Sequence, residues 1–356
     1  MSTQFFWCLP VAGDGRALSP AHWTRGDHGG VHPIRHAFSR TGLRGTGLTY
    51  YDQLLQIARA AELTGFDGVH IPQSPAGEEP LVVAGSLARE VRRLTLLPSL
   101  PPLISAVYAA KVATSFQRLT GNRLALELTT LPDEPAPWHG RRWSEAEQIA
   151  RIGEFIDVFK GFWTEPGFTY HGRYYEVEGG GFGGPLAGHP LPAIHLSGDS
   201  EEAVALSGRH ADVHVLQLGP VDEVRNLIAR VRAAAAAHDR APAFAIEASI
   251  VSRHSADEAW AYIAHAWLEA GGQGAPLARP TGDEPLWQGL ARLQPGASAA
   301  LVGSHATVAE RLGDYAALGI DRFVLSSNPH LEEAYRLGEH LLPLVRARLG
   351  VQRAAA

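Results

Sequence analysis

Eight short runs of apolar residues punctuate the chain, each ended by glycine, proline or a polar pair. They are FFWCLPV at 5–11, GFDGVHIP at 65–72, LTLLPSL at 94–100, RLALELTT at 123–130, AIHLSG at 193–198, DVHVLQL at 212–218, FAIEASIV at 244–251 and RFVLSSN at 322–328. Short apolar runs bounded in this way predict buried strands. Helical patterns fall between them. YYDQLLQIARAAELTG has apolar positions at helical spacing and a glycine stop, predicting a helix over about 51–64. SAVYAAKVATSFQRLTGN repeats the pattern, and SEAEQIARIGEFIDVFKGFW opens on Ser144 with Glu147 three residues on, a capping-box signature. SEEAVALSGRH, VDEVRNLIARVRAAAAAH and ATVAERLGDYAALG supply later helices.

Strand followed by helix, eight times over, requires parallel pairing, because each helix is a crossover. Closing eight such strands leaves no sheet edge. The expected fold class is therefore α/β, a (β/α)8 TIM barrel formed as a single domain over 1–356. An open doubly wound sheet also fits the alternation but needs no particular strand count. Three insertions depart from the repeat, at 18–47, 165–190 and 271–300. Within the second, FTYHGRYYEVEG alternates around His171 and Gly172 and predicts a small hairpin. The third, rich in glycine, proline and alanine, has the composition of a lid or substrate loop.

Composition narrows the function classes. Apolar residues make up 45% and charged residues 19%, which is ample for a core. The net charge of −6 gives no reason to expect nucleic acid. Cys8 is the only cysteine, so neither an intrachain disulfide nor a cysteine zinc cage can form. The start, MSTQFFWCLP, lacks a signal-peptide pattern, and no apolar stretch approaches membrane-span length. A soluble, cytoplasmic protein is the expectation.

In a parallel barrel the C-terminal strand ends form the active-site face. That places Thr129-Thr130, Ser197-Gly198, Ser249 and the polar run Ser326-Ser327-Asn328-Pro329-His330 at the mouth. Ser197-Gly198-Asp199-Ser200 ends one strand and begins a helix, where backbone N–H groups and the helix dipole favour an anion and Ser200 can donate a hydroxyl. Gly303-Ser304 before ATVAERL repeats the device, and Thr130 joins these as a cofactor-binding candidate. The plainer alternative is that Ser200 and Ser304 only cap helices.

FFWCLPVAGDGR, TGFDGVHIP, ALVGSHATVAERLGDYAALGIDRFVLS and NPHLEEAYRLGE resemble the bacterial luciferase-like flavin monooxygenases, nearest to the alkanesulfonate monooxygenase branch. The resemblance runs from Phe5 to about Leu349, outside the first insertion. It implies a (β/α)8 barrel with FMN in its mouth, delivered as FMNH2 by a separate NAD(P)H:flavin reductase. It further implies O2 as co-substrate, a C4a-peroxyflavin that oxidises a small molecule, and a homodimer or homotetramer.

Several positions depart from that branch. Gly77 stands where it has a cysteine after the second strand, and Glu127 replaces an asparagine. Glu247 and Ser249 replace an arginine and a histidine, and Asn328 a tyrosine. Ala12 replaces a first-loop histidine, Glu147 a flavin-contacting tyrosine, and Arg292 is the nearest match to a lid arginine. Exchanging arginine for glutamate would repel a sulfonate. Glu127 and Glu247 therefore point to a neutral or basic substrate such as an amine or guanidine, unless they pair with arginine or lysine from neighbouring strands. For proton transfer the candidates are Glu127, Glu247, His70, His195 and His330, alongside Ser249 and Asn328; His70 and His195 within apolar runs also suit satisfied core histidines. His22, His28, His32 and His36 crowd the first insertion beside Asp27, but Gly29, Gly30 and Pro33 spoil a helical zinc spacing, so no metal is expected. Two other readings compete with the monooxygenase: an F420-dependent oxidoreductase on the same barrel, and a non-catalytic flavin-binding homologue.

Overall fold

The computed structural model describes residues 3–12, 50–74, 77–130, 143–269, 285–292 and 299–350. All eight apolar runs contain strands: β1 Gln4–Cys8, β2 Gly68–Ile71, β3 Thr95–Leu100, β4 Ala125–Leu128, β7 Ala193–Ser197, β8 Val213–Gln217, β9 Ala243–Arg253 and β12 Ile320–Ser326. The expected hairpin is β5 Phe168–His171 with β6 Glu176–Gly180. Two further strands were not expected, β10 Leu286–Trp287 and β11 Ala300–Ser304. The described helices are α1 Tyr50–Thr64, α2 Pro80–Leu87, α3 Ala106–Thr120, α4 Glu145–Thr164, α5 Glu201–His210, α6 Val221–Ala236, α7 Ala256–Glu269, α8 His305–Ala317, α9 His330–Arg336 and α10 Leu342–Leu349. The main sheet runs β10-β11-β9-β12-β1-β2-β3-β4-β7-β8, and β9 also pairs β8. The eight expected strands thus close into the parallel ring of a (β/α)8 barrel.

Contacts group the residues into two compact parts. One comprises Met1–Glu79, Leu216–Ile228 and Phe244–Ala356. Here β1 lies between β12 and β2 in parallel register, and Phe5 stacks on Phe323 across the first pair at 5.5 Å between ring centroids. β9 is long because its two halves have different partners: Phe244 to Ser249 lie against β12, and Ser249 to Arg253 against β11. β10 folds back antiparallel on β11, and the Trp287 ring meets Trp260 edge-on at 5.7 Å. Trp287 and Leu290 join Val251, Ile263 and Val302 in a satellite core. Trp287 and Leu290 thus anchor the described stretch of the third insertion on this part.

The other part comprises Pro80–Val215 and Ala229–Ala243. Serines cap the starts of α3, α4 and α5. Ser105 accepts from the Tyr108 N–H, and Gly121 in the left-handed region ends α3. Ser144 and Glu147 form the complete capping box expected for α4. α2 escaped the periodicity reading because PLVVAGSL is apolar all round and has no stripe.

Candidate functional site

At the C-terminal ends of β4 and β7, a cavity of about 80 Å³ is lined by Leu128, Ile149 and Leu196 together with Thr130, Glu145, Ser197 and Gly198. It has room for a phosphate-sized group, whereas pockets for whole cofactors hold roughly 300–1,000 Å³. Gly198 makes the turn from β7 into α5 with φ of +115°, and a Cβ there would come within 2.7 Å of the Ala203 Cβ. Only glycine fits both constraints. Ser200 is the N-cap of α5, its hydroxyl oxygen accepting from the Ala203 N–H at 3.3 Å. The capping role is therefore real, and it leaves the hydroxyl proton to be donated elsewhere. The N–H groups of Glu201 and Glu202, in the first turn, have no intrahelical acceptor by helix geometry. Asp199 is exposed, and its carbonyl oxygen accepts from Arg230 Nη2 of α6 at 2.9 Å. This brings a guanidinium to the turn that the sequence reading missed; it sits 31 residues on, on the exposed face of α6, where no motif marks it. Glu145 is the opposing charge, but it is exposed and can turn to solvent.

Along β4, Glu127 is 5% exposed and accepts a hydrogen bond from the Ser99 hydroxyl on β3. Its register partner on β7 is His195, also buried. Glu147 is engaged at the start of α4: its Oε2 accepts from the Ser144 N–H at 3.0 Å.

A second polar group belongs to the part containing β9. Glu247 and Ser249, two residues apart, share one strand face. Gln217 Nε2, at the end of β8, donates to Glu247 Oε2 at 2.7 Å, and His70 Nδ1 on β2 lies 3.7 Å from Oε1. Ser249 Oγ is 3.1 Å from Ser326 Oγ. So His70 faces a carboxylate, and the contacts made by Glu247 include an amide and an imidazole. Gln217 gave no signal in the sequence, being one polar residue at the tail of an apolar run.

The polar stop after Leu325 is held by charge. Glu333, fully buried, accepts from Arg253 through both carboxylate oxygens at 3.0 and 3.1 Å, and from Arg336 and the Ser327 hydroxyl. Burial pushes its pKa up, opposed by the two guanidinium groups. The Asn328 carbonyl accepts from the Tyr262 hydroxyl at 2.6 Å. His330, buried at the start of α9, meets the Trp7 ring edge-on at 6.0 Å. Gly303 lies in β11, where a Cβ would meet nothing closer than 3.6 Å, and Ser304 caps α8 through the Thr307 N–H at 3.1 Å. Gly77 is tight in the opposite sense, since a Cβ would lie 2.8 Å from the Val11 carbonyl oxygen. A cysteine at that position would force the backbone to shift. The histidines of the first insertion, Ala12's following loop and the Arg292 side chain lie outside the described residues.

Comparison with known proteins agrees with this architecture. A family profile described as luciferase-like monooxygenase matches residues 29–322. A riboflavin lyase, solved with modified FMN and riboflavin, superimposes with a TM-score of 0.74 at 17% identity, covering 100% of this chain and 94% of that one. EDTA monooxygenase from Chelativorans sp. BNC1 gives 0.71 at 17%, covering 99% of each chain. An F420-dependent secondary alcohol dehydrogenase, solved with an F420–acetone adduct, gives 0.69 at 12%, covering 97% of this chain and 100% of that one.

Proposed function

The chain belongs to the luciferase-like monooxygenase family, and we propose that it is a two-component enzyme using reduced FMN and O2 to oxidise a small molecule. The observation that carries this reading is the Gly198 turn: a cradle that a Cβ would fill, at a helix N-terminus, opening on a cavity of phosphate size. In this reading the N–H groups after Ser200, with the Thr130, Ser197 and Ser200 hydroxyls, hold the FMN phosphate, and Arg230 steadies the turn through the Asp199 carbonyl. Bound reduced FMN supplies the two electrons that activate O2. The chain's own part is to bind, orient and exclude water, since the cofactor carries the hard chemistry.

A separate NAD(P)H:flavin reductase as partner, a homodimer or homotetramer, a cytoplasmic setting and one barrel domain over the whole chain belong to the same proposal. Among the described residues no helix is long and apolar enough to cross a membrane. Similarity to an F420-dependent dehydrogenase keeps that cofactor as the second reading. Anaerobic titration with reduced FMN and with reduced F420, followed by admission of O2, separates the two. Tight binding of reduced FMN with flavin reoxidation on admission of O2 is expected. Preferential binding of F420, with hydride transfer that does not need O2, would overturn the proposal.

A further inference from the structure

Strand alternation gives the β5–β6 hairpin an inner and an outer face. β5 alternates half-buried Phe168 and Tyr170 with exposed Thr169 and His171, and in β6 half-buried Val177 lies between exposed Glu176 and Glu178. We propose that the outer face of this hairpin binds a divalent transition-metal ion of the Zn2+ type through His171, Glu176 and Glu178. The inference stands apart from the flavin reading, because none of these residues belongs to the Gly198 turn or lines its cavity.

Register and alternation bring the three side chains together. His171 lies opposite Glu176 in the antiparallel pairing, and Glu178, two residues on, returns to the same face. His171 Nε2 stands 3.0 Å from Glu178 Oε1, and Nδ1 stands 3.6 Å from Glu176 Oε1. One donor atom from each residue lies within 4.8 Å of both others. Donors bound tetrahedrally to Zn2+ at about 2.0–2.1 Å are themselves roughly 3.3 Å apart, so small rotations of exposed side chains complete the set. Two carboxylates and a neutral imidazole supply two negative charges, which match a divalent ion. The nitrogen donor favours Zn2+, Ni2+ or Cu2+ over Mg2+ or Ca2+, which prefer oxygen ligands. The hairpin is also held from beneath. Glu154 of α4 accepts from the N–H groups of Arg173, Tyr174 and Tyr175 at 2.9, 2.7 and 3.3 Å, anchoring the turn that joins the strands. On the inner face Phe168 fills the space left by Gly161, where a Cβ would collide with its ring. Less chain therefore has to be ordered when the ion binds. The Thr169 hydroxyl accepts from the Gly179 N–H at 3.1 Å and lies 3.5 Å from Glu178 Oε2, which steadies that carboxylate. A protonated His171 would instead donate to both carboxylates, so proton and ion compete for one place.

The test is calorimetric titration of Zn2+ into the full-length, untagged protein after chelator treatment, at neutral pH and without flavin. His171→Ala and Glu178→Gln are titrated alongside, and melting curves confirm that both fold. Because His22, His28, His32 and His36 of the first insertion can also take up Zn2+, the readout is the difference between proteins and not the total. Wild type is expected to bind one Zn2+ per chain more than His171→Ala. Glu178→Gln should weaken that site by at least about tenfold, since loss even of a group that only supports a ligand costs that much. Mg2+ at the same concentration should not displace the ion. Equal Zn2+ stoichiometry and affinity in wild type and His171→Ala would overturn the proposal, leaving only an ion pair between His171 and the two glutamates. Displacement by equal Mg2+ would overturn it as well. If His171→Ala does not fold, the Glu178→Gln comparison decides, and unchanged Zn2+ affinity there counts against the site. Because flavin is absent throughout, failure here is distinguishable from a failure of FMN binding.

Discussion

Replacing Gly198 by alanine puts the phosphate-cradle assignment under direct strain. At φ of +115° an L-residue occupies a sparsely populated conformation, which costs roughly 1–3 kcal/mol. The new Cβ would also stand 2.7 Å from the Ala203 Cβ, and overpacking of this kind costs about 1–3 kcal/mol. The turn relieves these costs by moving, and the moving atoms are the ones that line the cavity. If half of the combined strain appears as lost binding, about 1–3 kcal/mol, affinity for reduced FMN falls roughly fivefold to 150-fold. Riboflavin, which lacks the phosphate, should be affected little. The assay is anaerobic titration with reduced FMN and reduced riboflavin, following flavin fluorescence, on wild type, Gly198→Ala and Gly85→Ala. The last is an internal control, because Gly85 is exposed on α2 and a Cβ there meets nothing within 4 Å. A Gly198→Ala protein that still prefers FMN over riboflavin by the wild-type factor would refute the reasoning.

Other substitutions probe separate links. Glu333→Ala leaves Arg253 and Arg336 without their buried carboxylate and should destabilise by about 3–5 kcal/mol in denaturant unfolding. Arg230→Gln removes the guanidinium from the Asp199 carbonyl and should weaken FMN by roughly 1 kcal/mol, with a smaller salt dependence than wild type. Acid should destabilise the fold through His214, fully buried on Ser207 with its pKa lowered by burial to about 4. Because the unfolded value is 6.5, the unfolded chain binds the extra proton between those limits. Stability is therefore complete above pH 6.5 and is lost as pH falls toward 4, by about 3 kcal/mol from this group. His214→Gln should flatten that part of the stability–pH curve measured by denaturant midpoints.

The strands were legible because strands buried on both faces write themselves as continuous apolar runs, and all eight such runs are strands. β11 was missed because ALVGS reads equally well as the approach to a helix; only pairing with residues 249–253 of β9 makes it a strand, and pairing is not local. β10 has two residues and no pattern of its own. At the site, Gly198 and Ser200 were legible because backbone geometry demands those residue types. Gln217, Ser99 and Arg230 were not, since each acts across the fold on a residue at least 28 positions away. His70 shows the same limit. Its place in an apolar run suits a core histidine, and only the tertiary register brings it to Glu247.

The most direct measurement is a crystal structure of the protein soaked with FMN. The phosphate is expected within hydrogen-bonding distance of the Ser197–Ser200 backbone and hydroxyls. Density for the phosphate at any other place, with the Gly198 turn empty, would contradict it.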